Sequence, residues 1–143
     1  MAVALVIALS GLGACTKDSA GPSGSDYVKW AIDSPSPSPG ISPGMGVVSG
    51  SVHDEPACSF ATPACAMPGL DVAAEITLAP ESGQPITAKG THQGFRLEAP
   101  AGHYTISLRV TDPQAGNTLC PDPMPIDVTE GEVLGVAANC VFS

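Results

Sequence analysis

Residues 104–111 read Tyr-Thr-Ile-Ser-Leu-Arg-Val-Thr, and apolar and polar side chains alternate one by one along them. Successive side chains of a β-strand point to opposite faces of the sheet, so this alternation predicts a strand with one buried face. The same period of two recurs on both sides of this stretch. The segments that share it are 48–52, 72–78, 84–90, 95–98, 126–128 and 134–142.

Turn residues separate these segments, and no stretch of ten or more residues carries the apolar stripe of an amphipathic helix. The 143 residues include 16 glycines and 15 prolines, a content that disfavours a helical bundle or a coiled coil. Short strands between Gly, Pro, Asp and Asn turns are typical of antiparallel sandwiches. The sequence therefore predicts an all-β domain, a seven-stranded antiparallel β-sandwich, over residues 46–143.

The charge of the chain excludes some classes of partner. There are 14 acidic residues against 5 Lys and Arg, so the formal net charge is −9. Such a charge argues against binding nucleic acid or anionic lipid headgroups by electrostatic attraction. The sequence also contains no run of 18 apolar residues, the length that would predict a transmembrane helix.

Residues 1–14 are predicted to be a lipoprotein signal peptide. They are apolar or small almost throughout, and too few to span a bilayer. The run ends in Leu12-Gly13-Ala14-Cys15, which resembles a bacterial lipobox. The resemblance implies that the Cys15 thiol receives a diacylglyceryl group and anchors the exported protein to the outer face of the bacterial cell membrane, or to its periplasmic side. No Lys or Arg follows Met1, a departure from the usual signal, and the alternative is a buried apolar strand with an ordinary cysteine.

Residues 15–45 are predicted to be a disordered tether. The Ser-Pro repeat at 34–39 favours polyproline II, since each proline fixes φ and removes a backbone donor. Fully extended, the whole segment would hold a domain up to roughly 100 Å from its anchor. Tyr27 and Trp30 interrupt it with a short apolar patch. That patch is interpreted as a chance feature of the tether, with a recognition site or a headgroup-level contact as alternatives.

Four motifs within the predicted sandwich carry a resemblance. They are GVVSGSV at 46–52, PGLDV at 68–72, GTHQGFRL at 90–97 and PAGHYTI at 100–106. They resemble the carboxypeptidase regulatory-like (transthyretin-like) β-sandwich, with His92 where that family usually has Asp. The resemblance covers about residues 46–142 and implies a prealbumin-like or Ig-like fold in a non-catalytic accessory module. Gly94 and Gly102 precede strands in these motifs, and we expect both to need a positive φ.

Four cysteines remain once Cys15 is assigned to lipid, and they allow three disulfide pairings. The favoured pairing is Cys58–Cys65 with Cys120–Cys140. The insert between Cys58 and Cys65 is also similar to that of exported lipoproteins built on this sandwich. Zinc sites usually need closely spaced cysteine pairs, which these spacings do not provide, so no metal or other cofactor is expected. Structural disulfides are typical of compartments outside the cytoplasm.

No catalytic motif stands out, so we expect no enzyme activity. The sequence has no Gly-x-Ser-x-Gly elbow, no His-Glu-x-x-His and no phosphate-binding glycine loop. His53, His92 and His103 all fall in polar loops or turns and are interpreted as surface residues, as are Glu130 and Glu132 around Gly131.

The function predicted from the sequence is a binding module held away from the membrane, with an envelope protein or a glycan as partner. Two surfaces are candidates: Phe60 and Met67 around the Cys58–Cys65 insert, and the loop at 117–125. Phe60 is either an interface anchor or a residue that fills the end of the sandwich. The alternative function is a passive structural component of the envelope, or a glycan-binding module without a protein partner.

Overall fold

The alternating segments form the strands of two β-sheets. A computed structural model describes residues 28–56, 70–112 and 117–142, and within these ranges the chain has eleven strands and no helix. The strands are β1 (Lys29–Ile32), β2 (Ser36–Pro37), β3 (Met45–Pro56), β4 (Leu70–Asp71), β5 (Ala74–Pro80), β6 (Ile86–Gly90), β7 (Phe95–Pro100), β8 (Gly102–Val110), β9 (Thr118–Leu119), β10 (Met124–Val128) and β11 (Glu132–Phe142). All seven predicted segments are strands, but the count of seven is not confirmed, because four short strands accompany them.

The longer strands divide between the sheets. Sheet A contains β3 and β11 at its centre, with β4 and β7 beside β3, and β1, β2 and β9 beside β11. Sheet B has the order β10-β8-β5-β6 and is antiparallel throughout. The prediction of a wholly antiparallel fold is wrong for sheet A, because β3 and β11 run parallel from Val47↔Val133 to Pro56↔Phe142. The two strands lie far apart in the chain, so they need no tight turn between them.

The core lies between the two sheets and is formed by the alternate side chains of each strand that point to the inner face of its sheet. Val48 and Val52 of β3 and Leu134 and Val136 of β11 face Ile76, Leu78 and Ile106 of sheet B, and all of them are buried in one cluster. The hydroxyl of Tyr104 donates to the carbonyl oxygen of Pro100 at 2.8 Å, so this buried phenol keeps a hydrogen-bond partner. The predicted alternation therefore correctly identified the buried face.

The tether prediction does not hold for residues 29–38, which form the outer edge of sheet A. β1 pairs with β11 from Lys29↔Asn139 to Ile32↔Val136, and β2 continues along the same strand. Ser38 donates its N–H to Gly131 O at 3.0 Å, and N–H groups alternate in direction along a strand. Pro37 therefore turns its nitrogen, which has no hydrogen, away from the sheet. Edge strands tolerate proline in this position, so the Ser-Pro repeat fits an edge as well as a spacer.

Residues 38–44 then cross over the end of β11 to reach β3, and we call them the strap. Ser42 N–H donates to the Glu98 carboxylate at 3.3 Å, and Gly44 N–H to that of Glu130 at 2.8 Å. Glu98 is the register partner of Val47, which is only 1% exposed although it lies outside the core cluster. The strap thus lies over the outer face of sheet A at Val47.

The two glycines expected to have a positive φ differ. Gly94 has a φ of 97°, and a Cβ there would lie 2.5 Å from Gly50 O. Gly102 has no positive φ, because it is already the first residue of β8 rather than part of the turn. The prediction is confirmed for Gly94 and wrong for Gly102.

Candidate functional site

One end of the sandwich brings together a group of polar side chains. Lys29, Asn139, His53 and Asp71 form one row across sheet A through successive strand pairings. Residues 57–69 connect β3 to β4 just beyond this row, so we call this the insert end. The opposite end, with the strap and the turns at 81–85 and 129–131, is the strap end.

Asp54 is the buried polar residue of the insert end. Its side chain lies on the same inward face of β3 as those of Val48 and Val52, and it is 3% exposed. Thr118 Oγ1 donates to Asp54 Oδ2 at 3.4 Å. Asp54 Oδ1, by contrast, is the only buried side-chain nitrogen or oxygen atom among the described residues that has no hydrogen-bond partner. Burial raises the pKa of Asp54 from its ordinary value, and Asp112 adds to this, against the lowering effects of the Thr118 hydrogen bond and His53.

Two histidine–aspartate pairs link the connections around Asp54. His53 Nδ1 lies 3.2 Å from Asp71 Oδ1, across the β3–β4 pairing. His92, in the turn between β6 and β7, bonds the backbone oxygen of Asp71 at 2.5 Å and lies 3.3 Å from Asp112 Oδ2 through Nε2. Asp112 N–H in turn donates to Ala73 O at 3.1 Å. These contacts join the ends of strands from both sheets, so they stabilise the connections through which the chain passes from one sheet to the other.

The loop predicted as a binding surface, 117–125, is fastened at the same end. Cys120 and Cys140 form a disulfide, as predicted, and the Cys140 side chain is fully buried beside Asp54. The Trp30 indole N–H donates to Asp122 O at 2.8 Å and ties the loop to β1. Leu119 nevertheless remains 63% exposed on β9. The exposed side chain of Leu119 thus lies on a loop that is fixed by the Cys120–Cys140 disulfide and by the hydrogen bond from Trp30.

His103 and Asp127 form a separate pair at the strap end. They are register partners on β8 and β10, and the His103 Nδ1 atom is hydrogen-bonded to Asp127 Oδ1. Both side chains are largely exposed. The hydrogen bond to Asp127, followed by its negative charge, raises the pKa of His103. The surface position predicted for His103 is confirmed, as it is for His92, whereas His53 is half-buried.

Most of the other predicted site residues lie outside the described residues. These are the lipidation site Cys15, the cysteines Cys58 and Cys65, and the binding candidates Phe60 and Met67. The pairing of Cys58 with Cys65 therefore stays a prediction, as do the signal peptide and the tether up to residue 27. Of the sites predicted from the sequence, the structure brings together the 117–125 loop and the Cys120–Cys140 disulfide at the insert end.

The described residues show neither a metal cluster nor a membrane-spanning helix. In the ranges 28–56, 70–112 and 117–142, no three His, Cys, Asp or Glu side chains are placed to hold one metal ion. The same ranges contain no helix that is long and apolar enough to cross a membrane.

Sequence reasoning missed the acidic residues of the insert end. The sequence contained a signal for Asp54, because its position lies on the same face of the strand as the buried valines of β3. Its polar neighbours His53 and Glu55, however, led to the interpretation of this stretch as a polar loop. No pattern marked Asp112, whose partner His92 lies 20 residues away across a turn and two strands.

Comparison with known proteins gives no match: no family model, no curated protein and no solved structure is similar to this chain.

Proposed function

We propose that this chain is an exported, lipid-anchored envelope protein whose β-sandwich is a non-catalytic binding module. The observation that carries the proposal is the Cys120–Cys140 disulfide, which braces a loop that exposes Leu119. A disulfide supports residence outside the reducing cytoplasm, in agreement with the export predicted from the Leu12–Cys15 motif. A rigid loop loses little conformational entropy on binding, which favours it as an interaction surface.

The proposed fold is of the prealbumin-like or Ig-like kind, as in carboxypeptidase regulatory-like domains. Two facing sheets and the Tyr104–Pro100 hydrogen bond within one of the four motifs support this assignment. A fold alone does not imply an activity, so the functional proposal rests on the braced loop.

Anchoring is tested by fractionating cells that produce the wild type, Cys15→Ser or the tether control Ser25→Ala. Export and lipidation predict that Cys15→Ser moves from the membrane to the soluble fraction, while Ser25→Ala stays with the membrane. Retention of Cys15→Ser in the membrane fraction would refute the anchor.

Binding is tested by crosslinking in cells, followed by mass spectrometry of the attached proteins. A reproducible envelope protein that is lost in Leu119→Asp but kept in Ile32→Ser would support the binding module. Ile32 is a suitable control because it is the other large hydrophobic residue that is exposed among those described. Attachment of no protein in any variant would favour the alternative, a passive component or a glycan-binding module.

A further inference from the structure

Two buried carboxyl groups, those of Asp54 and Asp112, lie in the insert end. We propose that they bind one Ca²⁺ ion, with backbone oxygens or water as its remaining ligands, and that this ion stabilises the insert end. The absence of a metal expected from the sequence concerned zinc and the spacing of the cysteines, whereas this site uses carboxylates. The site does not depend on the proposed anchoring or on the binding surface at Leu119.

The two carboxyl groups flank the connection through which the chain passes from β4 of sheet A to β5 of sheet B. Asp54 faces inward from β3, and on that side Val72 N–H donates to Val52 O at 2.9 Å. Asp112 follows β8, and on that side its own N–H donates to Ala73 O at 3.1 Å. The Asp112 side chain is 8% exposed, and its negative charge acts on Asp54. Two acidic groups from different sheets are therefore buried within reach of each other's charge.

Asp54 lacks the partners that an ionised buried group needs. Oδ2 accepts a hydrogen bond from Thr118, and Oδ1 accepts none. Burial of a carboxylate is costly unless the group is paired with a cation or coordinates a metal. Within the described part of the chain, Oδ1 therefore calls for a ligand that the protein itself does not supply.

The Lys and Arg side chains of the described residues do not provide that charge. All of them are exposed: Lys29, Lys89, Arg96 and Arg109. Lys89 and Arg109 belong to the same end of the sandwich, but they lie on the outer face of sheet B beside Glu75, to which Arg109 donates at 3.3 Å. Lys29 pairs with an outward residue of β11 and lies on the outer face of sheet A. None of these cations reaches the inward face of Asp54.

The two histidines of this end compensate the acidic groups only in part. His53 Nδ1 contacts Asp71 and His92 Nε2 contacts Asp112. A histidine carries a positive charge only when it is protonated, so in its neutral form it leaves the negative charge of both buried groups in place. A divalent cation from solution offsets both charges at once and gives Asp54 Oδ1 a partner.

The donor atoms indicate the class of ion. Carboxylate oxygens suit hard cations such as Ca²⁺ and Mg²⁺, and the sulfur of the neighbouring Cys140 is held in a disulfide. The described residues place no three acidic, histidine or cysteine side chains around one ion, so two carboxylates must share it with backbone oxygens or water. Ca²⁺ accepts such irregular shells, whereas Mg²⁺ demands a nearly ideal octahedron. A dissociation constant of about 0.1–1 mM, as in extracellular calcium modules, is expected.

Thermal unfolding of the full chain at pH 7.5, in EDTA or in 10 mM CaCl₂, tests the site. Ca²⁺ should raise the melting temperature of the wild type by at least about 5 °C. Asp54→Asn and Asp112→Asn should lose most of this shift, and the exposed control Asp122→Asn should keep it. In EDTA, Asp54→Asn should melt above the wild type because it buries no charge, and Ca²⁺ should reverse that order.

Equilibrium dialysis of the wild type gives a second readout that needs no variant to fold. It should find one Ca²⁺ ion per folded chain and none after unfolding in urea. A wild-type melting temperature that Ca²⁺ leaves unchanged, or an equal shift in Asp54→Asn, would overturn the site. An equal shift with MgCl₂ would contradict the assignment to Ca²⁺. The fractionation and crosslinking experiments test the anchor and the binding module separately, so those proposals stand or fall without this one.

Discussion

Asp54 lies beside Cys140 on the parallel strands β3 and β11, and both side chains are buried. A carboxyl group thus occupies the interior next to the disulfide, with one hydroxyl donor from Thr118. Burying a charge without full compensation destabilises the folded state, which is why the pKa of Asp54 is raised. This position links the stability of the insert end to pH.

Stability should fall with rising pH because of Asp54. Its pKa in the folded protein lies above the ordinary value of 3.8, so its contribution is fully present below pH 3.8 and is lost as pH rises through the folded pKa. Asp54→Asn cannot ionise and keeps an oxygen acceptor for Thr118. Chemical unfolding between pH 3.5 and 7 should therefore show the variant gaining on the wild type as pH rises. The exposed Asp122→Asn serves as control, and a parallel change in both variants would contradict the role of burial.

Removal of the Cys120–Cys140 disulfide should destabilise the domain by about 3 kcal/mol, because the bond closes a loop with a sequence separation of 20. The double variant Cys120→Ala, Cys140→Ala should melt roughly 10–20 °C below the wild type. Reductant should lower the melting temperature of the wild type by more than that of the variant. Equal sensitivity of the two proteins to reductant would show that this bond is not the main covalent support.

Two glycine substitutions distinguish the destabilisation caused by backbone strain from that caused by a steric clash. Gly94 and Gly131 both have a positive φ, but a Cβ on Gly94 would meet Gly50 O, whereas one on Gly131 would point into open space. Gly131→Ala should cost about 1 kcal/mol for strain, and Gly94→Ala about 3 kcal/mol because the collision is added. Denaturant unfolding measures both values. Similar losses in the two variants would mean that the β6–β7 turn moves away from β3 without penalty.

The pKa of His103 should lie above 6.5, and NMR titration of its imidazole protons would measure it. Its hydrogen bond to Asp127 is the main cause, so Asp127→Asn should lower the pKa towards the ordinary value. Glu81→Gln should lower it much less, because Glu81 acts only through its more distant charge. The protonated pair favours folding at low pH, and that small contribution should fade as pH rises through the folded pKa. An unchanged titration in Asp127→Asn would refute the pairing.

The fluorescence of Trp30 should report the docking of β1. It is the only tryptophan of the chain, it packs half-buried against the core, and its indole bonds Asp122 O. Emission of the native protein should be blue-shifted relative to the unfolded protein. Deleting residues 1–33 should destabilise the domain, whereas deleting residues 1–27 should leave its unfolding free energy within about 0.5 kcal/mol. If both deletions have the same effect, β1 does not contribute to the fold as described.

The period-two pattern predicted the strands and their buried faces because burial acts on each strand locally. Tyr104 and Ile106 show this clearly, since their alternation with polar residues matches their burial in β8. The Ser-Pro repeat misled because the same alternation suits both a free polyproline segment and a sheet edge. The choice between the two depends on whether an unpaired strand edge is available, here that of β11. Nothing in Pro37 itself indicates that this edge exists.

The parallel pairing of β3 with β11 and the insert-end contacts could not be read from the sequence for a related reason. Val47 and Val133 are 86 positions apart, and nothing local to either residue specifies the other. His92 and Asp112 are likewise separated by a turn and two strands, and they meet only through the arrangement of both sheets. Periodicity identifies which side of a strand is buried, whereas pairing and polar contacts between distant strands follow from the closed fold.

Because β11 follows all the other strands that the structure describes and lies between β3 and β1, the order of synthesis limits the order of folding. Sheet A lacks its central strand until residues 132–142 have left the ribosome. Contacts of such long sequence separation also form slowly. Sheet A of the nascent chain therefore stays incomplete until β11 has been synthesised, however early the other strands emerge.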